Sequence, residues 1–597
     1  MQLNFRRVMY FGCTVKIPQI KGKITVRKMG NFEYVHYELE RVYDPKRKFN
    51  VPKRTIIGKR AAGDPTLMHP NEKFLELFPQ VAVPEERQKA DRSCCLKLGT
   101  HVVIEKVAEE YELKKLLARH FGKHAGLVLD LVSYLIVNED NAGRYYPDYA
   151  FTHPLFTDGM RILSDSSLSR FFADVSKDQI QGFLNDWNGR QDHRQRIYLS
   201  YDSTNKNSQA GDIDIVEFGN AKDDKGLPIF NLSLAYDKTN KVPLFYEEYP
   251  GSINDVSQFK YLVDKVSEYG YRSIGFVLDR GYFSRANIEY MDEKKYHFVI
   301  MCKGCKPLVT ELIGAKRGTF ESDRGCYIPN YRIYGTTVKM PLFKGEKKER
   351  YFHLYYNSSR LAAEREKLEV DLEKMHTTLN SLKGRAVEIG APFTKYFDLH
   401  YAPGKGKEPP VFLFATEKTD VIGRELDLCG YFCIISSEAM SAKDALLLYK
   451  GRDASEKLFR SDKSFLGSRS MRVTTNEAVS AKLFVEFVAL IVRNRMYNLL
   501  KEQMMRLTVR RNYLTVPAAV KELDKIEMVR MRSGRYILDH AVTKTQRVIL
   551  ESFGLNEENI REAARAVDEA LSIKRPAEEP EMNGEDDDAE AEVGEDY

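Results

Sequence analysis

The 597-residue chain has no apolar run of membrane-spanning length. Its best candidate, Leu483 to Val492, is ten residues long and contains Glu486, against the roughly 18 consecutive apolar residues a span needs. No membrane partner is therefore expected. The first twenty residues, MQLNFRRVMYFGCTVKIPQI, include basic side chains but neither an apolar core of signal-peptide length nor a small-residue cleavage pattern. Eight cysteines are too few for a disulfide scaffold and fit a reducing cytoplasm. Cys302 and Cys305 form a C-x-x-C with Cys326 beyond it, but no second pair completes a zinc site. Buried free thiols are the expectation there. Tryptophan occurs once, at Trp187.

The composition, 43% hydrophobic and 30% charged, supplies ample material for sizeable cores and excludes whole-chain disorder. The length suggests about three or four domains. Net charge is +6, but residues 576–597 hold eleven acids and no Lys or Arg, so residues 1–575 carry +17. An excess of that size on the folded part points to a polyanionic partner.

Residues 1–100 read as short strands and turns, as in KITVRKMGNFEYVHYELERVYD and KFNVPKRTIIGKR. Residues 101–192 change to helical periodicity, in VIEKVAEEYELKKLLARHF and AGLVLDLVSYLIV. Within them Asp165 to Ser167 are N-cap candidates for one short helix, and a second runs from Lys177 to Trp187. That pair reads as a helical packing subdomain or as a helix-turn-helix DNA reader.

Residues 193–304 become α/β. Strand IYLSY ends at Asp202, PIFNLSLAYD and VPLFYEEYPG follow, and helix DVSQFKYLVDKVSEYG leads into SIGFVLD, ending at Asp279; helix SRANIEYMDEK and strand FVIMC come next. Residues 305–428 read as an insertion with strand-like pieces (YRIYGTTVKM, YFHLYYN, PVFLFA) and a long helix. Its Leu361, Leu368, Leu372, Met375, Leu379 and Leu382 make a heptad stripe, for a packing arm or a dimerising one. Residues 429–478 resume the sheet with GYFCIIS and helix AKDALLLYKGRDASEKLFRSDK. Residues 479–575 read as helical, with basic spots at Arg510, Arg511, Arg530, Arg532 and Arg535, and the acidic tail from Pro576 as disordered.

Three acids stand out: Asp202 in YLSYDSTN, Asp279 in IGFVLDRGYFS, and Glu456 in GRDASEKLFRSDK. A carboxylate at the end of a buried strand needs compensation, and a divalent cation supplies it. Capping or a turn would account for either Asp equally. Tyr449, Arg452, Glu456 and Lys463 fall at offsets of three, four and seven, which share one helix face. Such a face suits a metal-binding acid beside phosphate-binding cations; it equally suits an exposed helix with i,i+4 ion pairs. Asp453 and Asp462 lie off that face, Asp212 and Asp214 read as turn residues, and His193 as a surface or core histidine.

Tyr-x2-Arg-x3-Glu-x6-Lys resembles the signature of insertion-sequence DDE transposases of the Tyr-Arg-Glu-Lys branch. YDSTN, YPGSIND, LDRGYFS and GYFCIIS agree in order and character, over about residues 100–550. The resemblance implies an RNase H-like mixed-sheet catalytic core, interrupted by a strand-rich insertion with a long helix, flanked by N-terminal β and helical regions and a C-terminal helical region. It implies Asp202, Asp279 and Glu456 as a catalytic triad holding Mg²⁺, with Mn²⁺ as a substitute. Tyr449, Arg452 and Lys463 would grip phosphates at the cut end, and Tyr431 or Phe432 would offer a ring where relatives stack a flipped base on Trp. Partners would be double-stranded DNA, at element ends and target, and a second copy in a homodimer, in a bacterial, nucleoid-associated setting. A catalytically silent DNA-binding regulator, or a nuclease on the same fold without strand transfer, are the alternative functions.

Overall fold

A computed structural model describes the chain except residues 1–13, 30–31, 46–47, 62, 82–91, 209–212, 220–225, 254, 303–305, 405–409, 468, 508–510, 532 and 573–597, and except the side chains of residues 255, 256, 306, 453–456 and 461. Cys305, Arg510, Arg532, Asp212 and the acidic tail therefore lie outside the described residues.

The alternating segments near the N-terminus form a five-stranded antiparallel sheet; Phe32–Asp44 and Phe49–Arg60 are its long central pair. Helices follow, as the 3.6-residue periodicity predicts. Helix α1 (Asp165–Asp174) is capped by Ser164, one residue before the expected cap. Helix α2 (Lys177–Gly189) starts with a capping box between Ser176 and Gln179. It buries Phe183, Leu184 and Trp187, and the Trp187 Nε1–H donates to the Pro243 carbonyl at 2.9 Å. The pair is thus packed into the body of the protein through its second helix.

The main sheet is built on β1 (Ile197–Asn207), β2 (Ile229–Asp237), β3 (Val242–Pro250), β4 (Ile274–Leu278) and β5 (His297–Met301). They lie in the order β3-β2-β1-β4-β5, with β1, β2 and β3 antiparallel in turn and β4 and β5 parallel to β1. Helices α3 (Asp255–Glu268) and α4 (Arg285–Glu293) make the two crossovers. A meander of three strands extended by two parallel ones is the RNase H-like arrangement. Every residue of β2 and β4 is buried, as expected of strands covered on both faces. Gly275 in β4 is needed for close approach: a Cβ there would come within 2.6 Å of the Tyr198 ring on β1.

The sheet continues past β5. Tyr327–Ile328 (β6), Ile333–Pro341 (β7) and Glu349–Tyr356 (β8) join through Tyr431–Ser436 (β9), which pairs antiparallel with both β5 and β8. YRIYGTTVKM and YFHLYYN thus belong to the main nine-stranded sheet, a correction to their expected place in the insertion. What stands apart is α5 (Ser358–Ser381) with the hairpin Phe397–Ala402 and Val411–Glu417. Leu372 and Leu379 of its stripe pack on Phe397, Phe412 and Ile422, forming a small core of their own.

The signature segment also departs from expectation. One continuous helix is replaced by α6 (Ala442–Lys450), a turn at Gly451–Arg452, α7 (Asp453–Arg460) and a wide π turn at Ser461–Phe465. Glycine followed by Arg-Asp is a stop-and-restart signal. Tyr449 and Glu456 consequently lie on different helices and share no single helical face. After it comes α8 (Asn476–Arg506), buried on nearly all sides from Ala478 to Asn494, with the charged Lys482, Glu486 and Arg493 included. The C-terminal region is not wholly helical: Glu527–Arg530 pairs antiparallel with Tyr536–Leu538 on one side and Cys95–Lys97 on the other, a three-stranded sheet that ties this region to the segment ahead of the N-terminal helices. Among the described residues no helix is long and apolar enough to cross a membrane.

Candidate active site

Asp202 is not a strand terminus. It sits inside β1, opposite Leu234 of β2, and the strand runs five residues further. Asp279 directly follows β4. Leu278 of β4 pairs in register with Tyr201 of β1, so the next residue on each strand is a site Asp, and the two lie side by side. Asp279 also caps a single 3₁₀ turn, its Oδ1 accepting from the Arg280 N–H at 2.7 Å.

The turn between α6 and α7 brings Arg452 onto this pair. Its Nη1 donates to Asp202 Oδ2 at 3.2 Å and lies 3.7 Å from Asp279 Oδ2. The Tyr449 hydroxyl donates to Asp279 Oδ1 at 3.3 Å. Tyr449 is otherwise buried, packed with Tyr355, Ile434 and Leu446. Lys238, from the β2–β3 turn, donates to the Leu448 carbonyl at the end of α6, where a cation suits the helix C-terminus. Tyr449 and Arg452 thus act here as partners of the two carboxylates.

Glu456 lies in α7, which packs over β1 and β2; its side chain and that of Asp453 are outside the described residues. Lys463 is in the π turn beyond, half-buried. Its neighbour Asp462 is fully buried and forms an ion pair at 2.7 Å with Lys206 of β1, which makes a second at 2.7 Å with Glu486 of α8. Burial opposes the Lys206 charge, but the two carboxylates outweigh it and raise its pKa. Burial also pushes the Asp462 carboxyl up to about 6 despite Lys206. One ammonium therefore ties the Asp202 strand, the signature turn and the central helix together. Reading β1 as ending at Asp202 hid Lys206. Glu486 carried its own signal, as the acid inside the most apolar run of the chain.

Tyr431 and Phe432 begin β9, two strands from β4. Tyr431 is buried, its hydroxyl donating to Glu321. Phe432 is half-buried, stacked on Tyr355 at 4.9 Å with the Arg360 guanidinium 5.2 Å from its ring. A base reaching Tyr431 would have to displace these packed neighbours. His193 stacks on Tyr271 and contacts the Asn188 carbonyl at 2.7 Å, and Asp214 accepts from Asn476; both are structural.

Among the described residues no three His, Cys, Asp or Glu side chains are grouped to hold a metal ion. Asp202 and Asp279 offer oxygen donors of the kind hard divalent cations take, and they already share a cationic group. Those two suit such an ion, with Glu456 on the helix above.

No curated protein sequence matches the chain. Among solved structures, the piggyBac transposase synaptic complex with hairpin DNA aligns at 12% identity over 83% of this chain and 85% of that one, with a TM-score of 0.30. The Drosophila P element transposase strand transfer complex aligns at 14% identity over 74% of this chain and 92% of that one, at 0.16. Scores that low leave the fold to be read from the strand order above. A family model described as Transposase DDE domain matches residues 201–492. The match begins one residue before Asp202 and runs through Asp279, α6 and α7 to Val492 of α8, so this segment is similar to transposase DDE domains.

Proposed function

We propose that the protein is a transposase of the Tyr-Arg-Glu-Lys branch. It binds the terminal inverted repeats of an insertion sequence, cleaves DNA there and joins the freed 3′ ends to a target. The observation that carries this reading is the adjacency of Asp202 and Asp279 on neighbouring parallel strands, under the helix that bears Glu456. Two carboxylates of distant sequence position, one inside a strand and one just beyond its neighbour, need a shared positive charge to offset their repulsion, which Arg452 supplies here and a divalent ion can supply in its place.

Asp202, Asp279 and Glu456 hold Mg²⁺, or Mn²⁺ in its place. When bound, such ions activate an attacking oxygen and stabilise the leaving one in displacement at phosphorus. Arg452 neutralises the two Asp while the site is free of DNA and turns to a phosphate oxygen once cations and DNA enter. Tyr449 orients the Asp279 carboxylate through its hydroxyl. Lys463, at the end of the signature segment, contributes a phosphate contact. Two copies of the chain hold the paired ends together.

The test is a nicking and joining assay on DNA carrying the element's ends. Asp202→Asn, Asp279→Asn and Glu456→Gln should each lower metal-dependent nicking by about three orders of magnitude, with end binding retained. Nicking that survives one substitution removes that residue from the triad. Nicking without joining of precut ends would make the protein a nuclease on this fold. Absence of both with tight end binding would make it a regulator.

A further inference from the structure

A cavity of 1050 Å³ lies between the signature segment and the second half of α8. It borders the site directly: Gly451, the residue before Arg452, lines one edge, and Tyr236 lies two positions along β2 from Leu234, the register partner of Asp202. Seven Lys and Arg side chains line it against a single acid, Glu502, and Lys241 already pairs with that acid at 3.2 Å. Among the described residues Lys450, Lys457, Arg460 and Lys501 form no ion pair. Net positive charge is costly to gather in a concave wall, and its concentration here calls for an anionic occupant.

The cations are arranged around a ring. Lys457 Nζ lies 6.0 Å and Lys501 Nζ 5.8 Å from the centroid of Tyr497. Tyr497 is half-buried, so part of its ring is open to the cavity. Met504, Met505 and Leu507 make an apolar wall beside it, and Met505 is 69% exposed. Both ammonium groups stand over the Tyr497 ring, and on their long side chains they can swing out to the phosphates flanking a base that takes their place on it. Bases stacked inside a duplex cannot reach such a ring.

We propose that this cavity binds an unpaired stretch of DNA strand next to the scissile phosphate, with a base on Tyr497 and phosphates on Lys457, Lys501 and Arg460. The proposal rests on the DNA-processing reading above but concerns strand binding, which is measured without catalysis.

The experiment uses the full chain and two fluorescein-labelled probes, a single-stranded oligothymidylate and a blunt hairpin duplex, followed by anisotropy over a salt series. Tyr497→Ala should weaken oligothymidylate binding about tenfold while Tyr497→Phe stays within about twofold of the parent. Lys457→Gln with Lys501→Gln should weaken it too and flatten the salt slope by about 1.4. Duplex binding should change by less than about twofold in each. Unchanged oligothymidylate affinity in Tyr497→Ala overturns the proposal. So does an equal loss on both probes, or a loss confined to the Lys pair, which would reduce the cavity to a general polyanion surface. Thermal melting of each variant confirms that it is folded; were Tyr497→Ala misfolded, the Phe variant and the Lys pair decide, and a Lys pair that shifts neither affinity nor slope is contrary. Asp202→Asn run alongside separates the two claims: it should bind oligothymidylate normally yet fail to nick, and nicking there counts against the triad only.

Discussion

The Arg452 Nη1 stands 3.2 Å from Asp202 Oδ2 and 3.7 Å from Asp279 Oδ2, so one guanidinium serves two carboxylates from neighbouring strands. All three groups are largely shielded, with side-chain exposures of 14%, 15% and 35%. A divalent ion entering between the acids competes with that guanidinium. Arg452→Ala should therefore tighten Mn²⁺ binding to the DNA-free protein about three- to tenfold, read by titration calorimetry. The same variant should bind and process DNA ends less well. Weaker or unchanged Mn²⁺ affinity would show that Arg452 and the ion do not share these oxygens.

Much of this arrangement was legible in the sequence, and the misses have physical causes. Asp202 and Asp279 announced themselves as acids at the ends of apolar runs, although the strand bearing Asp202 continues beyond it. The order of strands and helices between Arg196 and Cys302 was readable because consecutive elements are also spatial neighbours in a meander and its crossovers. The partners of YRIYGTTVKM and YFHLYYN were not readable, because alternation specifies a strand without naming the sheet it joins. The extension of β1 to Asn207 was hidden by its polar residues. Ser203, Thr204, Asn205 and Lys206 are buried, with Asn205 paired to Asn231 at 2.5 Å and Lys206 to two acids. A polar stretch that is satisfied internally looks like a loop in the sequence. The break at Gly451 was signalled by glycine itself, yet a recurring spacing of three and four suggested continuity.

The buried charge cluster beneath the signature turn makes a stability prediction. Lys206→Met leaves Asp462 and Glu486 without their shared cation in a dry environment, which should cost about 3–5 kcal/mol. Adding Asp462→Leu and Glu486→Leu should recover most of it, since an apolar replacement of a whole buried ion cluster is commonly tolerated. Chemical denaturation of the single and triple variants measures both. A triple variant no more stable than Lys206→Met would mean that the cluster acts through something other than charge compensation.

Asp130 gives a pH signature remote from the site. It is buried in the helix Ala125–Asn138, and burial pushes its carboxyl up to about 7, against hydrogen bonds from the Phe156 and Thr157 N–H groups and the Thr157 hydroxyl. An acid whose pKa is higher folded than unfolded binds its proton more tightly in the native state. Its contribution is complete below the ordinary carboxylate range and is lost as pH rises through about 7. The buried Asp462 has the same sign. Stability should fall between about pH 5 and pH 8, and Asp130→Asn should fall less over that interval. Parallel melting-temperature profiles for parent and variant would exclude this origin.

The convergence of Asp202, Asp279 and Glu456 on divalent ions is tested most directly by anomalous diffraction from crystals of the full chain soaked in Mn²⁺. The expected result is a Mn²⁺ peak coordinated by carboxylate oxygens of Asp202 and Asp279, with Glu456 completing the set and Arg452 turned away. A peak bound elsewhere, with Arg452 still bridging the two aspartates in a crystal whose protein nicks DNA, would contradict it.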